Sequence, residues 1–356
     1  MTDLYQHSIR VICKNQAKSG AYIASPSFPV YRYCWFRDGA FIAYSMDLAG
    51  CHESARRFHK WASRTMLNHK EKAQRRIIKT SQGKKLQEGD YLHARYTIEG
   101  EEAEEEWGNF QLDGLGSWLW SLAQHIDLTG KMSQQWEEAG ELVIKYLIAL
   151  WQQPCYDCWE EHESKIHIST LAAVYGGIKA ITRIYPDREI TKVCKEILQF
   201  ILKNGVKDGH LIKYIGSRDI DSSFLSISTP YRLLRPEDRL MRATVARIEK
   251  YLQGKGGGLY RHLKDTYYGG GQWILLTAWL GWYYAELGDF KRAKHLLTWI
   301  EAQMDKEGDL PEQVPQDLLA PEYYEKWVNR WGPIANPLLW SHAMYIILFT
   351  AIHSHL

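Results

Sequence analysis

Two glutamates stand apart from the other acidic residues because each sits in a loop-like segment, beside aromatic or apolar residues and off any charged helix face. Glu160 lies in Tyr156-Asp157-Cys158-Trp159-Glu160-Glu161, and Glu312 in Leu310-Pro311-Glu312-Gln313-Val314. Hydrolysing a glycosidic bond needs a carboxyl group that protonates the leaving oxygen and a second that acts at the anomeric carbon. Glu161 places a like charge next to Glu160, which raises a carboxyl pKa toward that of a working acid. Where such a pair works with inversion, the two carboxyls stand about 6.5–9.5 Å apart and leave room for a water. Arg37-Asp38 reads two ways. Asp is a favoured residue at a helix start and pairs with a neighbouring Arg; beside Tyr31 and Trp35, the same two side chains offer a donor and an acceptor to adjacent sugar hydroxyls.

Other chemistries find little support. Of the six cysteines, only Cys155 and Cys158 form a C-x-x-C, and no second pair completes a metal site. Gly254 to Gly258 and Gly269-Gly270-Gly271 match neither phosphate-binding loop nor dinucleotide fingerprint and are expected as turns. No Gly-x-Ser-x-Gly elbow is present. With 44 basic against 42 acidic residues, the net charge of +2 makes no electrostatic case for nucleic acid or an anionic membrane. The basic stretch Lys70 to Lys85 and the acidic run Glu99 to Glu106 are expected as solvated surface. There are 15 Trp and 22 Tyr against 9 Phe, so rings with a polar handle dominate. Such rings suit hydrogen-bonded core rims and sugar-stacking faces alike. The N-terminus has neither a basic nor an apolar leader region, so a cytoplasmic location is expected.

These residues need a scaffold that brings them together. Helical periodicity and glycine stops predict about twelve helices, near 3–19, 38–49, 53–75, 112–129, 131–151, 167–185, 187–203, 217–227, 237–253, 270–287, 289–305 and 336–352. Gly20, Gly50, Gly130 and Gly288 fall just past helix ends. Tyr91 to Thr97 alternates as one strand of a small hairpin. No linker divides the chain, so one domain over 1–356 is expected. Each even-numbered helix has a polar and aromatic segment at its N-terminal end: Tyr31 to Asp38, Trp107 to Gly114, Tyr156 to Glu161, Arg218 to Asp221, Arg261 to Trp273, and Leu310 to Val314 upstream of the last. If the even helices run parallel in an inner ring, all six segments meet at one rim, where free N–H groups and positive dipole ends also gather. The all-α fold that meets this condition is an (α/α)6 barrel.

The motifs also carry a family likeness. Tyr-x-Tyr-x-Trp-x-Arg-Asp, Trp-Gly-x-x-Gln-x-Asp-Gly, Tyr-Asp-x-Trp-Glu-Glu, Arg-x-x-x-Asp-Thr-Tyr-Tyr and Leu-x-Trp-Ser occur in the order seen in glucoamylases. From about Ser25 to Ala351 the sequence resembles glycoside hydrolase family 15. The resemblance implies an (α/α)6 catalytic domain and inversion at the anomeric carbon, with no metal or organic cofactor. It makes Glu160 the general acid and Glu312 the base that activates water. By the same likeness Arg37, Asp38 and Arg261 grip the terminal glucose, and Tyr31, Trp35 and Trp340 enclose it. Trp107, Gln111, Trp159, Glu161 and Trp273 then lie near the pocket or the leaving-group sugar. Many relatives carry an added β-sandwich or starch-binding domain, for which this chain has no room. A small α-gluco-oligosaccharide of isomaltose or maltose type is therefore the expected substrate, with trehalose as the alternative within the family. A glycoside phosphorylase and a non-catalytic sugar-binding regulatory protein are the rivals from other classes; retention of both carboxylates favours a hydrolase.

Overall fold

Six helices of this chain are apolar or small almost all the way round, and such helices need neighbours on every side. In the computed structural model, which describes residues 3–354 apart from 86, 88, 183 and 185–187, they form an inner ring. They are Phe36–Leu48, Asp113–Thr129, Ile168–Ile181, the short Leu225–Ser228, Ile274–Glu286 and Leu339–His353. Each packs against the next in chain order, and the last packs back on the first, so the ring closes. Between the second and third members the approach is close enough to require glycine. A Cβ on Gly177 would lie 2.1 Å from the Gly116 carbonyl oxygen.

Outside this ring lie helices with one apolar stripe and one charged face: His52–Asn68, Gln134–Leu150, Arg188–Asn204, Arg239–Leu252 and Phe290–Glu301, with Asp3–Lys14 against the last inner helix. Inner and outer helices alternate along the chain, as an (α/α)6 barrel requires. One hydrophobic core runs from Leu4 to Ile352. Among the described residues, no helix is long and apolar enough to cross a membrane.

The boundaries differ from the sequence reading in places that have local causes. The first helix stops at Lys14 rather than 19, and Gly20 is no helix cap: it faces the Arg57 backbone at φ 107°, where a Cβ would meet the carbonyl oxygen at 2.2 Å. The predicted 53–75 helix breaks at His69 into His52–Asn68 and Lys70–Ser81. The predicted 217–227 helix shrinks to a 3-10 turn, Ser222–Phe224, followed by Leu225–Ser228. Asp221 is extended there and its carboxylate caps the Ser223 N–H at 2.8 Å, while Pro230 lacks the N–H needed to continue. The predicted end at 185 and start at 187 fall outside the described residues. Arg95–Tyr96 is the strand expected within Tyr91 to Thr97; it bridges to Glu102 as a small hairpin and also pairs with Cys34–Trp35. The glycine-rich segments are turns, the first closed by Gly254 N–H donating to the Gly258 carbonyl at 2.8 Å. Among the described residues, the helix Tyr324–Trp331 lies outside both rings and has no counterpart in the sequence reading.

Candidate active site

A cavity of about 340 Å³ opens at the N-terminal ends of the inner helices. Glu160 reaches it from a turn organised by Asp157. The buried Asp157 carboxylate accepts the backbone N–H groups of Trp159 (3.0 Å) and Glu161 (2.9 Å), and the Glu160 N–H donates to the Asp157 carbonyl at 2.9 Å. This holds Glu160 at φ 66°, a left-handed conformation that costs a non-glycine residue about 1–3 kcal/mol and persists only where the surroundings over-determine it. Here they do. The Trp159 indole donates to Asp221 at 2.9 Å, and Lys213 Nζ stands 2.9 Å from Glu161, 3.2 Å from Asp221 and 3.5 Å from Asp157. The Glu160 carboxylate then accepts hydrogen bonds at Oε1 from Trp35 Nε1 (2.7 Å) and Gln111 Nε2 (3.1 Å).

Glu161 turns to a different set of partners. Its Oε2 accepts from Lys213 and His262, both at 2.9 Å, and Arg261 lies 3.6 Å from Oε1. Burial alone would raise its pKa, but His262, Arg261 and Lys213 outweigh burial and hold it well below the usual carboxylate range. The like charge expected to act on Glu160 is therefore taken up by cations.

Glu312 enters from the antiparallel pair Gln272–Trp273 and Gln313–Val314, at the start of the inner helix Ile274–Glu286. Its side chain is buried. Oε1 accepts from the Tyr31 hydroxyl at 3.0 Å, which is itself 2.8 Å from the Tyr267 hydroxyl. Burial pushes the Glu312 carboxyl up to about 8, against the pull of Tyr31 and Arg261. Its Oε2 has no hydrogen-bond partner among the described residues. A buried polar atom left so costs about 1–3 kcal/mol, which a water or hydroxyl donor would relieve.

Below the carboxylates lie two arginines, each locked by an acidic neighbour. Arg37 Nη1 donates to Gln111 Oε1 at 2.8 Å and to Asp113 at 3.2 Å, with Nε 3.3 Å from Asp38 and the guanidinium 5.4 Å from the Trp340 ring centre. Burial, with Glu160 and Asp113 adding to it, lifts Asp38 to about 6 despite Arg37. Arg261 makes a two-pronged bond to Asp265, its Nε at 2.7 Å, and sits among the rings of Trp159, Tyr267 and Trp273. The indole N–H groups of Trp107, Trp273 and Trp340 are buried without a hydrogen-bond partner among the described residues. Flat apolar faces edged by free donors and acceptors match a polyhydroxylated ring. Arg37, Asp38, Arg261 and Trp340 are buried, whereas Glu160, Glu161 and Trp107 are half-exposed. The cavity is thus a pocket with a buried floor and a mouth.

The sequence profile described as Glycosyl hydrolases family 15 matches residues 1–308. Isomaltose glucohydrolase of Kribbella flavida is 40% identical over 353 residues, covering 97% of this chain and 91% of that protein. The chain belongs to glycosyl hydrolases family 15. A solved structure titled Glycosidase Wild Type superposes with a TM-score of 0.95 at 39% identity, covering 98% of this chain and 96% of the other. A bacterial glucoamylase complexed with acarbose shares the fold at a TM-score of 0.77 and 20% identity, over 99% of this chain and 56% of its own.

Within this family 15 pocket stand Tyr31, Trp35, Arg37, Asp38, Trp107, Trp159, Glu160, Glu161, Arg261, Trp273, Glu312 and Trp340, all singled out from sequence. Gln111 stands behind the wall and links Arg37 to Glu160. Sequence reasoning missed Tyr267, Trp327 and Trp331 in the lining, and Lys213, Asp221, His262 and Asp265 behind it. Tyr267 lay inside a quoted motif, but nothing distinguished it from Tyr268. Lys213 had no signal beyond being a lysine in a segment without helical periodicity.

Proposed function

We propose that this family 15 hydrolase releases single glucose units from the non-reducing end of small α-gluco-oligosaccharides, isomaltose foremost, with inversion at the anomeric carbon. The observation that carries this reading is the pocket with a buried floor, which accepts a chain end and excludes a chain interior. Arg37, Asp38 and Arg261 hold the hydroxyls of the terminal glucose, and Tyr31, Trp35 and Trp340 enclose its ring. Trp107, Trp159, Glu161 and Trp273 meet it or the leaving sugar, while Gln111 aligns the acid.

Glu160 is the general acid. It is half-exposed toward the mouth, where the leaving sugar lies, and donates its proton to the glycosidic oxygen as the C–O bond breaks. Glu312 is the base. A water held by its free Oε2 attacks the anomeric carbon from the opposite face and gives up its proton to that carboxylate. Burial makes ionised Glu312 a stronger base but reduces its ionised fraction, and the Tyr31 and Arg261 contacts restore part of that fraction. This acid–base cycle needs no metal or organic cofactor.

The 40% identity to an isomaltose glucohydrolase supports the α-1,6 linkage. All six cysteines are free thiols, in keeping with a reducing cytoplasm. The test is glucose release from isomaltose, maltose, nigerose, kojibiose and trehalose, with the first-formed anomer followed by proton NMR. Isomaltose is expected to be the best substrate and to yield β-glucose first. Release of α-glucose, or trehalose as the best substrate, would overturn the reading.

A further inference from the structure

The helix Tyr324–Trp331, outside both rings, delivers two tryptophans to the mouth of the pocket. It is anchored from below. The Trp327 indole donates to the Thr266 carbonyl at 2.8 Å and its ring meets Tyr267 edge-on at 5.1 Å, while the Tyr268 hydroxyl donates to the Gly332 carbonyl at 2.8 Å. Trp331 extends beyond this anchor and stacks on Trp107, with centroids 5.8 Å apart and planes 21° from parallel.

That stack continues on both sides. The Arg95 guanidinium lies 4.0 Å from the Trp107 ring centre and 4.3 Å from that of Tyr33, and the Arg330 guanidinium lies 5.0 Å from that of Trp331. Tyr33, Arg95, Trp107, Trp331 and Arg330 thus form one run of ring and cation contacts, with an arginine on either side of the Trp107–Trp331 pair. Arg95 is 1% exposed, so the run is rooted in the protein rather than draped on its surface. Trp107 precedes the second inner helix and Trp331 the sixth, so their contact spans the loop that carries Tyr31 and Trp35 to the first. No sugar ring fits between two tryptophans already in contact.

We infer that the Trp107–Trp331 contact walls off one side of the mouth and limits the leaving group to a single sugar, making this a hydrolase for disaccharides above longer chains. The inference rests on the proposed glucosidase activity. The cavity agrees with it: about 340 Å³ is at the small end of the roughly 300–1,000 Å³ typical of ligand pockets. Trp331 and Trp327 then act on specificity, while the reacting groups stay as described.

The test compares kcat/KM on isomaltose, isomaltotriose and isomaltotetraose for the wild type, Trp331→Ala, Trp331→Phe and Arg330→Ala. The wild type is expected to lose efficiency as the chain lengthens. Trp331→Ala is expected to raise the triose-to-biose ratio by about 3- to 10-fold, the worth of one aromatic pair, and Trp331→Phe to keep the wild-type ratio. Arg330→Ala, at the exposed end of the run, is expected to shift the ratio the same way by less, and it carries the test if Trp331→Ala does not fold. Equal losses on all three substrates in Trp331→Ala, a ratio that neither alanine variant shifts, or a wild type that cleaves long and short chains alike would overturn the inference while leaving the activity standing. A wild type that releases no glucose at any length would overturn the activity itself, and the inference with it.

Discussion

Glu161 and Glu312 line one cavity, yet their surroundings pull their protons in opposite directions. Around Glu161 the chain gathers Lys213, His262 and Arg261, and the carboxylate stays charged far below its usual pKa. Around Glu312 it places buried walls, and the pKa climbs to about 8 even though the Tyr31 hydroxyl pulls it down. The first environment suits a fixed charge that braces a strained turn and faces a sugar hydroxyl. The second suits a group that must take a proton in each turnover. Burial weighs on both; the number of nearby cations decides which way each goes.

The contrast can be broken at several points. Replacing a carboxyl that transfers protons should cost most: Glu160→Gln and Glu312→Gln are each expected to lower kcat on isomaltose by at least about 10²-fold. Near-normal turnover in either would remove that residue from the chemistry. On the charged side, Lys213→Met strands Asp157, Glu161 and Asp221 without their shared cation, at an expected cost of about 3–5 kcal/mol of stability. Urea unfolding measures this, and a loss under 1 kcal/mol, roughly the worth of an exposed pair, would mean the network bears little weight.

On the tyrosine side the expected effects are smaller and appear in pH profiles. The base must be ionised while the acid is protonated, so a raised Glu312 pKa should place one limb of the kcat/KM profile above the usual carboxylate range. Tyr31→Phe removes a donor that favours the ionised form and should move that limb to higher pH; a limb that stays put would separate Tyr31 from the base. Stability has its own sign. With its folded pKa raised, Glu312 binds more protons in the native state than in the unfolded chain between its ordinary value of 4.5 and about 8. Its contribution is complete at acid pH and is lost as pH rises through that window. Glu312→Gln should flatten that decline in thermal melts, and an unchanged slope would contradict the raised value.

Much of this was legible in the sequence because it rests on short-range rules. Helices such as Ile274–Glu286, apolar on all sides, announce an inner ring, and Arg188–Asn204, with one stripe, an outer one. The segments feeding the rim stood out because Trp, Tyr, Arg and Glu crowd just before helix starts. Parts that depend on distant contacts did not show. Lys213 becomes a hub only when Asp157, Glu161 and Asp221 fold around it. The helix Tyr324–Trp331 carries Glu325, Lys326, Asn329 and Arg330 among its aromatics, a pattern that reads as surface until Trp327 finds the Thr266 carbonyl and Trp331 finds Trp107. The turn at Ser222–Ser228 is short because of one carboxylate cap and one proline, which periodicity does not register.

The division of labour between the two glutamates has a direct test in leaving-group dependence. A glucosyl fluoride leaves without a proton, so it bypasses the acid but still needs the base. On α-glucosyl fluoride, Glu160→Gln should recover most of the rate it loses on isomaltose, and Glu312→Gln should stay impaired on both. Recovery by Glu312→Gln instead, with Glu160→Gln still impaired, would reverse the assignment of acid and base.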